Sequence, residues 1–293
     1  MPIYPLRQVE PSRESADLYE RWLGELGEAL ERGDDRWELC RRTLTGIFYP
    51  DLIHADTRHL PLAAQAAVAQ MDARNVTLEP EYYAEIDVDR FMERKPLLWM
   101  WQMFDKSPLG GNVHLGPRFR RVLAPHIFAR VGRNFKCFHF VEFSFGYNLE
   151  VGDDVVVHRN VLLDDRGGIV LGNRVSISDY ANIYSHTHSI VDQQDVSDLK
   201  TVICDGVRIT YHATVLAGTH VGENAMVGAM ALATKNVRPY HVNVGIPAKS
   251  VRVKPNAPAE AYRVALCDVP GAAKAAPPAS AEATPAAEGA AHD

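Results

Sequence analysis

The sequence predicts a mainly β solenoid, a coil of very short parallel strands, preceded by a helical region and followed by a tail without a core of its own. Three observations carry this expectation. A six-residue aliphatic repeat runs through the middle of the chain, helical apolar spacing marks roughly the first 130 residues, and residues 271–293 hold 11 Ala and 3 Pro among 23 positions. The expected division is a mostly helical region over 1–130, the solenoid over 131–254, and a C-terminal extension over 255–293 that is disordered from about 271.

A chain of 293 residues that is 46% hydrophobic can bury a sizeable core. Its net charge of −6 comes from 37 acidic and 31 basic residues without any Lys/Arg block. That balance gives no nucleic-acid footprint and favours small-molecule chemistry. The opening MPIYPLRQVEPSRES lacks the apolar core of a signal peptide, and no window approaches the 18 apolar residues of a membrane span. The expectation is a cytoplasmic protein with no membrane span. Cys40, Cys137, Cys204 and Cys267 show no CxxC spacing, which fits reduced, packed thiols better than a disulfide frame or a structural zinc site.

In the first region Leu18, Trp22, Leu26, Ala29 and Leu30 recur at helical spacing, with Ser12 or Ser15 as N-cap and Gly33 as stop. A second helix carries Trp37, Cys40, Leu44 and Phe48 behind a cap at Asp34 or Asp35 and ends before Pro50. A third runs from Pro61 to about Met71, and another carries Leu97, Trp99, Trp101 and Phe104. Such stripes read as core.

The middle region has a period of six. Ile203, Ile209, Val215, Val221 and Val227 open five hexads in unbroken phase, and the fifth position is always small or β-branched: Val207, Ala213, Thr219, Ala225, Ala231. Val151, Val157, Leu171 and Ile177 open an upstream set, with a two-residue slip across Leu163–Val170. Val131, Cys137 and Phe143 extend it less regularly. Neither a helix nor an alternating strand predicts this period; a coil with a corner at every hexad does. The aliphatic points to the axis, and each coil is stabilised by its neighbours. Gly152, Gly172, Gly222 and Gly228, directly after the aliphatic, suit turns closed to most side chains.

FSFGYNLEVGDD (143–154), VLLDDRGGIVLGNRVSISDYANIYSHTHSI (161–190) and VGENAMVGAMALATKNVRPYHVNVGIPAKSVR (221–252) resemble the hexapeptide-repeat acyltransferases, in particular their maltose and galactoside O-acetyltransferase branch. The resemblance covers a little under half the chain and leaves the helical region aside. It implies a left-handed parallel β-helix, a homotrimer with active sites between neighbouring prisms, and transfer of an acetyl or similar group from acetyl-CoA, or another acyl-CoA, to a hydroxyl of a sugar-like or other small acceptor. It also implies that the catalytic base is His188, which closes the frame Ile183-Tyr184-Ser185-His186-Thr187-His188. An acceptor hydroxyl needs a positioned base, and imidazole titrates near working pH. Tyr184, His186 and His158 are the accompanying acceptor-side candidates. The run Ser189–Val202 breaks the hexads and corresponds to an excursion that walls the acceptor cleft.

Small residues at Ala217, Gly218, Gly228 and Ala229 suit an extended pantetheine arm in a groove between coils. Thr234, Lys235, Lys249 and Arg252 match the family's cations at the nucleotide end, Lys as a point charge and Arg by its fork. The match departs on the acceptor side. His158 stands where the sugar-specific enzymes carry an Asn, Arg208 where they carry an aromatic near the coenzyme, and Ser189 where a proline follows the base. Asp164, Asp165 and Arg166 are expected to pair with one another at a corner.

Two other readings stay open. His186 and His188 project to one side of a strand and can chelate zinc, as in a γ-carbonic-anhydrase-like enzyme, although His158 and His212 are not at matching positions and no resident metal is expected. A non-enzymatic scaffold is the third. An amine acceptor is a variant of the first.

Overall fold

The computed structural model describes residues 9–192 and 194–259; the expected disordered tail and Cys267 lie outside them. The described chain is a left-handed parallel β-helix of about six turns behind five α-helices. Helix α1 (Arg13–Arg32) begins where the Ser12 side chain accepts from the Ser15 N–H, and it ends at Gly33, whose φ of 77° allows its N–H to turn back onto Leu30. Helix α2 (Arg36–Phe48) is capped by Asp35 and stops ahead of Pro50. Helices α3 (Leu62–Ala69) and α4 (Val88–Lys106) follow, and α4 buries Leu97, Trp99, Trp101 and Phe104 as their spacing predicts. Leu18 departs from expectation at 52% exposure: the buried face of α1 starts at Leu23, so its first turns overhang an open apolar groove. Helix α5 (Gly116–Ile127) has no long apolar stripe to announce it, because Arg118, Arg120 and Arg121 interrupt Phe119, Val122 and Leu123.

Those arginines explain how the helices meet the coil. Each coil's N–H groups donate to carbonyls of the following coil, as Lys136 does to Val155 and Val156 to Val175. The corner carbonyls of the first coil accept from the next one, as Arg133 O does from Asp154 N, but its strand carbonyls have no preceding coil to donate to them. Arg121 donates to Phe135 O at 2.8 Å, Arg120 to Cys137 O at 3.2 Å, and Trp101 Nε1 to Val141 O at 3.3 Å. Buried backbone acceptors are thereby satisfied by side chains of α4 and α5. Arg120, fully buried, is neutralised by Asp105, and Asp105 also accepts from Phe140 N at 2.7 Å. Trp101, Phe128 and Phe143 pack edge to face over the same end, joining the helical core to the solenoid core.

The coil has three faces. One sheet stacks Arg130–Val131, Leu149–Val151, Ile169–Leu171, Thr201–Ile203 and His220–Val221. The second runs from Lys136–Cys137 through Val156–Val157, Ser176–Ile177, Arg208–Ile209 and Met226–Val227 to His241–Val244, where antiparallel Lys249–Val253 closes it. The third stacks Glu142–Phe143, Leu162–Asp164, Asn182–Tyr184, Thr214–Val215 and Leu232–Ala233. The repeat aliphatics are buried at every coil, Val131 being the half-buried exception in the first.

The glycines after the aliphatics work by close approach. A Cβ on Gly172 would lie 2.7 Å from Asp205 N, and one on Gly152 2.7 Å from Gly172 C. Left-handed φ falls further along, on Asn134, Asp154, Arg174, Gly206 and Asn224 at one corner and on Phe140, Asn160, Tyr180, His212 and Met230 at the next. The first corner carries a ladder: the carboxylate of Asp205 accepts from Asn173 N (2.8 Å), and Asn173 Oδ1 accepts from Asp153 N (2.8 Å).

Cys40 and Cys137 are buried free thiols, and burial raises both. Cys204 is disulfide-bonded, against the expectation of reduced thiols. The spacing of the four cysteines carries no signal for it.

Candidate active site

Among the described residues one excursion interrupts the coil. After Tyr184 the chain leaves the third face as a strand, His186–His188, turns, and returns antiparallel as Val196–Asp198, with His186 opposite Asp198 and His188 opposite Val196. The departure precedes the expected break at Ser189, so both histidines stand on the outgoing arm and not on the coil. The base of this hairpin is pinned by hydrogen bonds. Ser185, fully buried, donates to Asp164 O at 2.5 Å and accepts from Gly167 N at 2.9 Å. Leu199 N donates to Ser185 O at 2.7 Å, and Thr201 Oγ1 donates to Tyr184 O at 2.6 Å.

The two histidine rings meet edge to face, 5.2 Å apart at 83°. His186 is the inner one, its side chain 16% exposed, and its Nδ1 touches the Asp164 carboxylate off the line of a hydrogen bond. His188 is exposed at the mouth. Asp164, Asp165 and Arg166 do not pair with one another as expected, because each faces a different way at the corner. Asp164 meets His186 and accepts from Ser144 Oγ at 3.2 Å. Asp165 points inward, accepts from Phe145 N at 2.8 Å and Asn148 N at 3.2 Å, and is pushed up to about 7 by burial. Arg166 pairs with Glu85 under the ring of Tyr83, 4.1 Å from its centroid.

These groups line a cleft of about 600 Å³. The coil and hairpin contribute Glu142, Asp164, Arg166, Tyr184, His186 and His188; the opposite wall is EPEYYAE, residues 79–85, from the helical region. Tyr83 donates to Glu79 at 2.6 Å, and burial followed by that bond pushes its hydroxyl up to about 12. Asp198, on the returning arm, is raised by burial and next by Glu85. Sequence reasoning missed this wall. Its only signal was an aromatic–acidic run unlike the apolar stripes around it.

The other candidates are distributed. His158 does not line the cleft; it stacks parallel on Phe138 at 5.2 Å, at the corner before Leu162–Asp164. His212 stacks on Tyr180 at 4.8 Å. Among the described residues no group of three or more His, Cys, Asp or Glu is arranged to hold a metal ion. Ile183, Val215 and Ala233 are stacked in register on the third face, so Ala217–Gly218 and Thr234–Lys235 follow at the corner from which the hairpin departs. Gly218, at φ 73°, accepts a close approach of Leu199 from the hairpin's return, and its N–H donates to Thr201 Oγ1 at 3.0 Å. Gly228 and Ala229 lie at the other end of that face, with Gly228 packed on Val244, which pairs with Lys249; Arg252 pairs with Val242. The eight coenzyme candidates thus flank the third face on both sides at the C-terminal end. Lys235, Lys249 and Arg252 are exposed there. Lys254 nearby is lowered by burial and next by repulsion from Arg208.

No family model matches the chain. A galactoside O-acetyltransferase of Escherichia coli (strain K12) is 26% identical over 137 residues, covering 45% of this chain and 68% of that protein. An inferred acetyltransferase of Schizosaccharomyces pombe is 30% identical over 114 residues, 38% of this chain and 55% of its own length. Among solved structures, a maltose O-acetyltransferase from Clostridium difficile 630 superposes with a TM-score of 0.52 at 22% identity over 59% of this chain and 91% of that one. A galactoside acetyltransferase in complex with coenzyme A gives 0.51 at 22% identity, over 59% and 85%. Sequence relatives and solved folds agree: the chain resembles the hexapeptide-repeat acyltransferase superfamily, and within it the maltose and galactoside O-acetyltransferase branch.

Proposed function

We propose that this protein is a CoA-dependent acyltransferase that moves an acetyl group from acetyl-CoA to a hydroxyl of a sugar-like acceptor, with His188 as general base. One observation carries the reading: the only excursion from the hexapeptide coil among the described residues presents His186 and His188 to a cleft large enough for a small acceptor. The acceptor oxygen attacks the thioester carbonyl while the imidazole of His188 takes its proton. The new C–O bond forms, the C–S bond breaks, and the proton leaves on the departing thiol. His186, braced by Asp164, packs its ring on His188 and orients it.

The coenzyme is assigned to the C-terminal coils, from the corner at which the hairpin departs to the closing strand. Ala217 and Gly218, with Gly228 and Ala229, leave room for a pantetheine arm, and Thr234, Lys235, Lys249 and Arg252 supply donors and charge for phosphates. In this reading the solenoid from about residue 131 carries the transfer chemistry, the helical region closes the acceptor side, and the protein works as a cytoplasmic homotrimer. His158, apart from the cleft in one chain, belongs to the acceptor side only through such an assembly.

The test is a calorimetric titration of the protein with acetyl-CoA beside the Lys249→Ala/Arg252→Ala double variant. Saturable binding, weakened about tenfold or more in the variant by loss of charge-assisted contacts, is expected. A folded protein that binds no acetyl-CoA would overturn the reading.

A further inference from the structure

The cleft beside the histidines has a charge that the coil alone does not give it. Glu79, Glu85, Glu142 and Asp164 line it against one cation, Arg166. That cation is already engaged by Glu85 and covered by Tyr83. Glu79 is bound only by the Tyr83 hydroxyl among the contacts of the described residues, and Glu142 stands exposed with no ion pair among them. Asp198 on the returning arm is raised chiefly by burial and next by Glu85. Between the carboxylates stand the rings of Tyr82, Tyr83 and Tyr184. Aromatic faces suit the C–H faces of a saccharide, and carboxylates accept its hydroxyls.

We propose that the acceptor is a saccharide carrying no phosphate, and that Glu79 and Glu142 are specificity-determining residues that reject phosphorylated and nucleotide-linked sugars. The inference rests on the acyltransferase reading and narrows it. An anionic group entering the cleft meets Glu79 and Glu142, neither in an ion pair among the described residues, while Arg166 is already engaged by Glu85, so its rejection arises from repulsion built into the wall. The opposite arrangement holds at the C-terminal end of the coil, where Lys235, Lys249 and Arg252 are exposed. Phosphate is thereby welcomed on the C-terminal coils and refused in the cleft, which keeps the nucleotide of the donor out of the acceptor cleft.

The experiment follows release of free thiol from acetyl-CoA with neutral mono- and disaccharides and with their 6-phosphates as matched pairs. The neutral members should exceed their phosphates at least tenfold in kcat/KM, and added salt should narrow that ratio. In Glu79→Gln/Glu142→Gln the ratio should fall at least threefold through faster reaction of the phosphates, while the Kd for acetyl-CoA stays as in the parent protein. Equal turnover of both members, or a ratio unmoved in the variant, overturns the proposal. So does a protein that binds acetyl-CoA yet acetylates none of the sugars. Absence of acetyl-CoA binding is a distinct outcome that removes the transferase reading and this inference with it.

Discussion

His186 and His188 stand two residues apart and meet different surroundings, one braced by a buried carboxylate and one open at the mouth. Their substitutions should separate accordingly. His188→Ala is expected to lower kcat at least about a hundredfold, the usual scale for losing a general base, with acetyl-CoA affinity unchanged by calorimetry. His186→Ala should lower kcat by less, about tenfold, because it loosens the base without removing it. Equal losses would mean that the two rings act as one unit. Asp165 makes a different prediction. Its folded-state value near 7 lies above the usual 3.8, so between about pH 4 and 7 the native protein holds a proton that the unfolded chain has released. Stability is then present in acid and falls as pH rises through that window. Denaturant melts from pH 4.5 to 7.5 should show the decline, and Asp165→Asn should flatten it.

At the scale of elements, the hairpin and the helical cap each hang on a few contacts. A Cβ at Gly167 would lie 2.1 Å from Ser185 O and 2.6 Å from Leu199 N, so Gly167→Ala must move the root of the hairpin. A loss of about 1–3 kcal/mol in a denaturant melt is expected, accompanied by a fall in kcat larger than stability alone explains. Arg120→Ala leaves Asp105 buried without its cation and uncaps Cys137 O; about 3–5 kcal/mol of destabilisation is expected, read from the same melts. The elements were unequally legible. Coil positions from Val151 to Val227 follow from a strict period, since each inward aliphatic answers to identical neighbours above and below. Helix α1 was announced by Ser12 and Gly33. Helix α5 was not, because its task is to hand arginine donors to a coil end, and that need appears only in three dimensions. For the same reason Glu79 to Glu85 could not be placed at the cleft: nothing local in that run encodes which coil it faces.

For the whole molecule, the fold and an excursion beside the histidines were readable, whereas the place of both histidines on its outgoing arm and the way the site is assembled were not. The resemblance located His188 and the cations near Lys249, and the structure sets them on the excursion and on the closing strand. It moved His158 out of the cleft, since a residue two coils away in sequence sits at a different corner of the prism. A stack of parallel strands is open at both ends, and each end offers unpaired backbone groups on which another chain can continue the stack. Here α4 and α5 seal the first end with Arg120, Arg121 and Trp101, and Lys249–Val253 seals the second face of the last by running antiparallel, with charged Lys249 and Arg252 on the new edge. The strand proposed to hold the nucleotide therefore also stops the solenoid from growing end to end into a fibre, so its loss is expected to lower solubility.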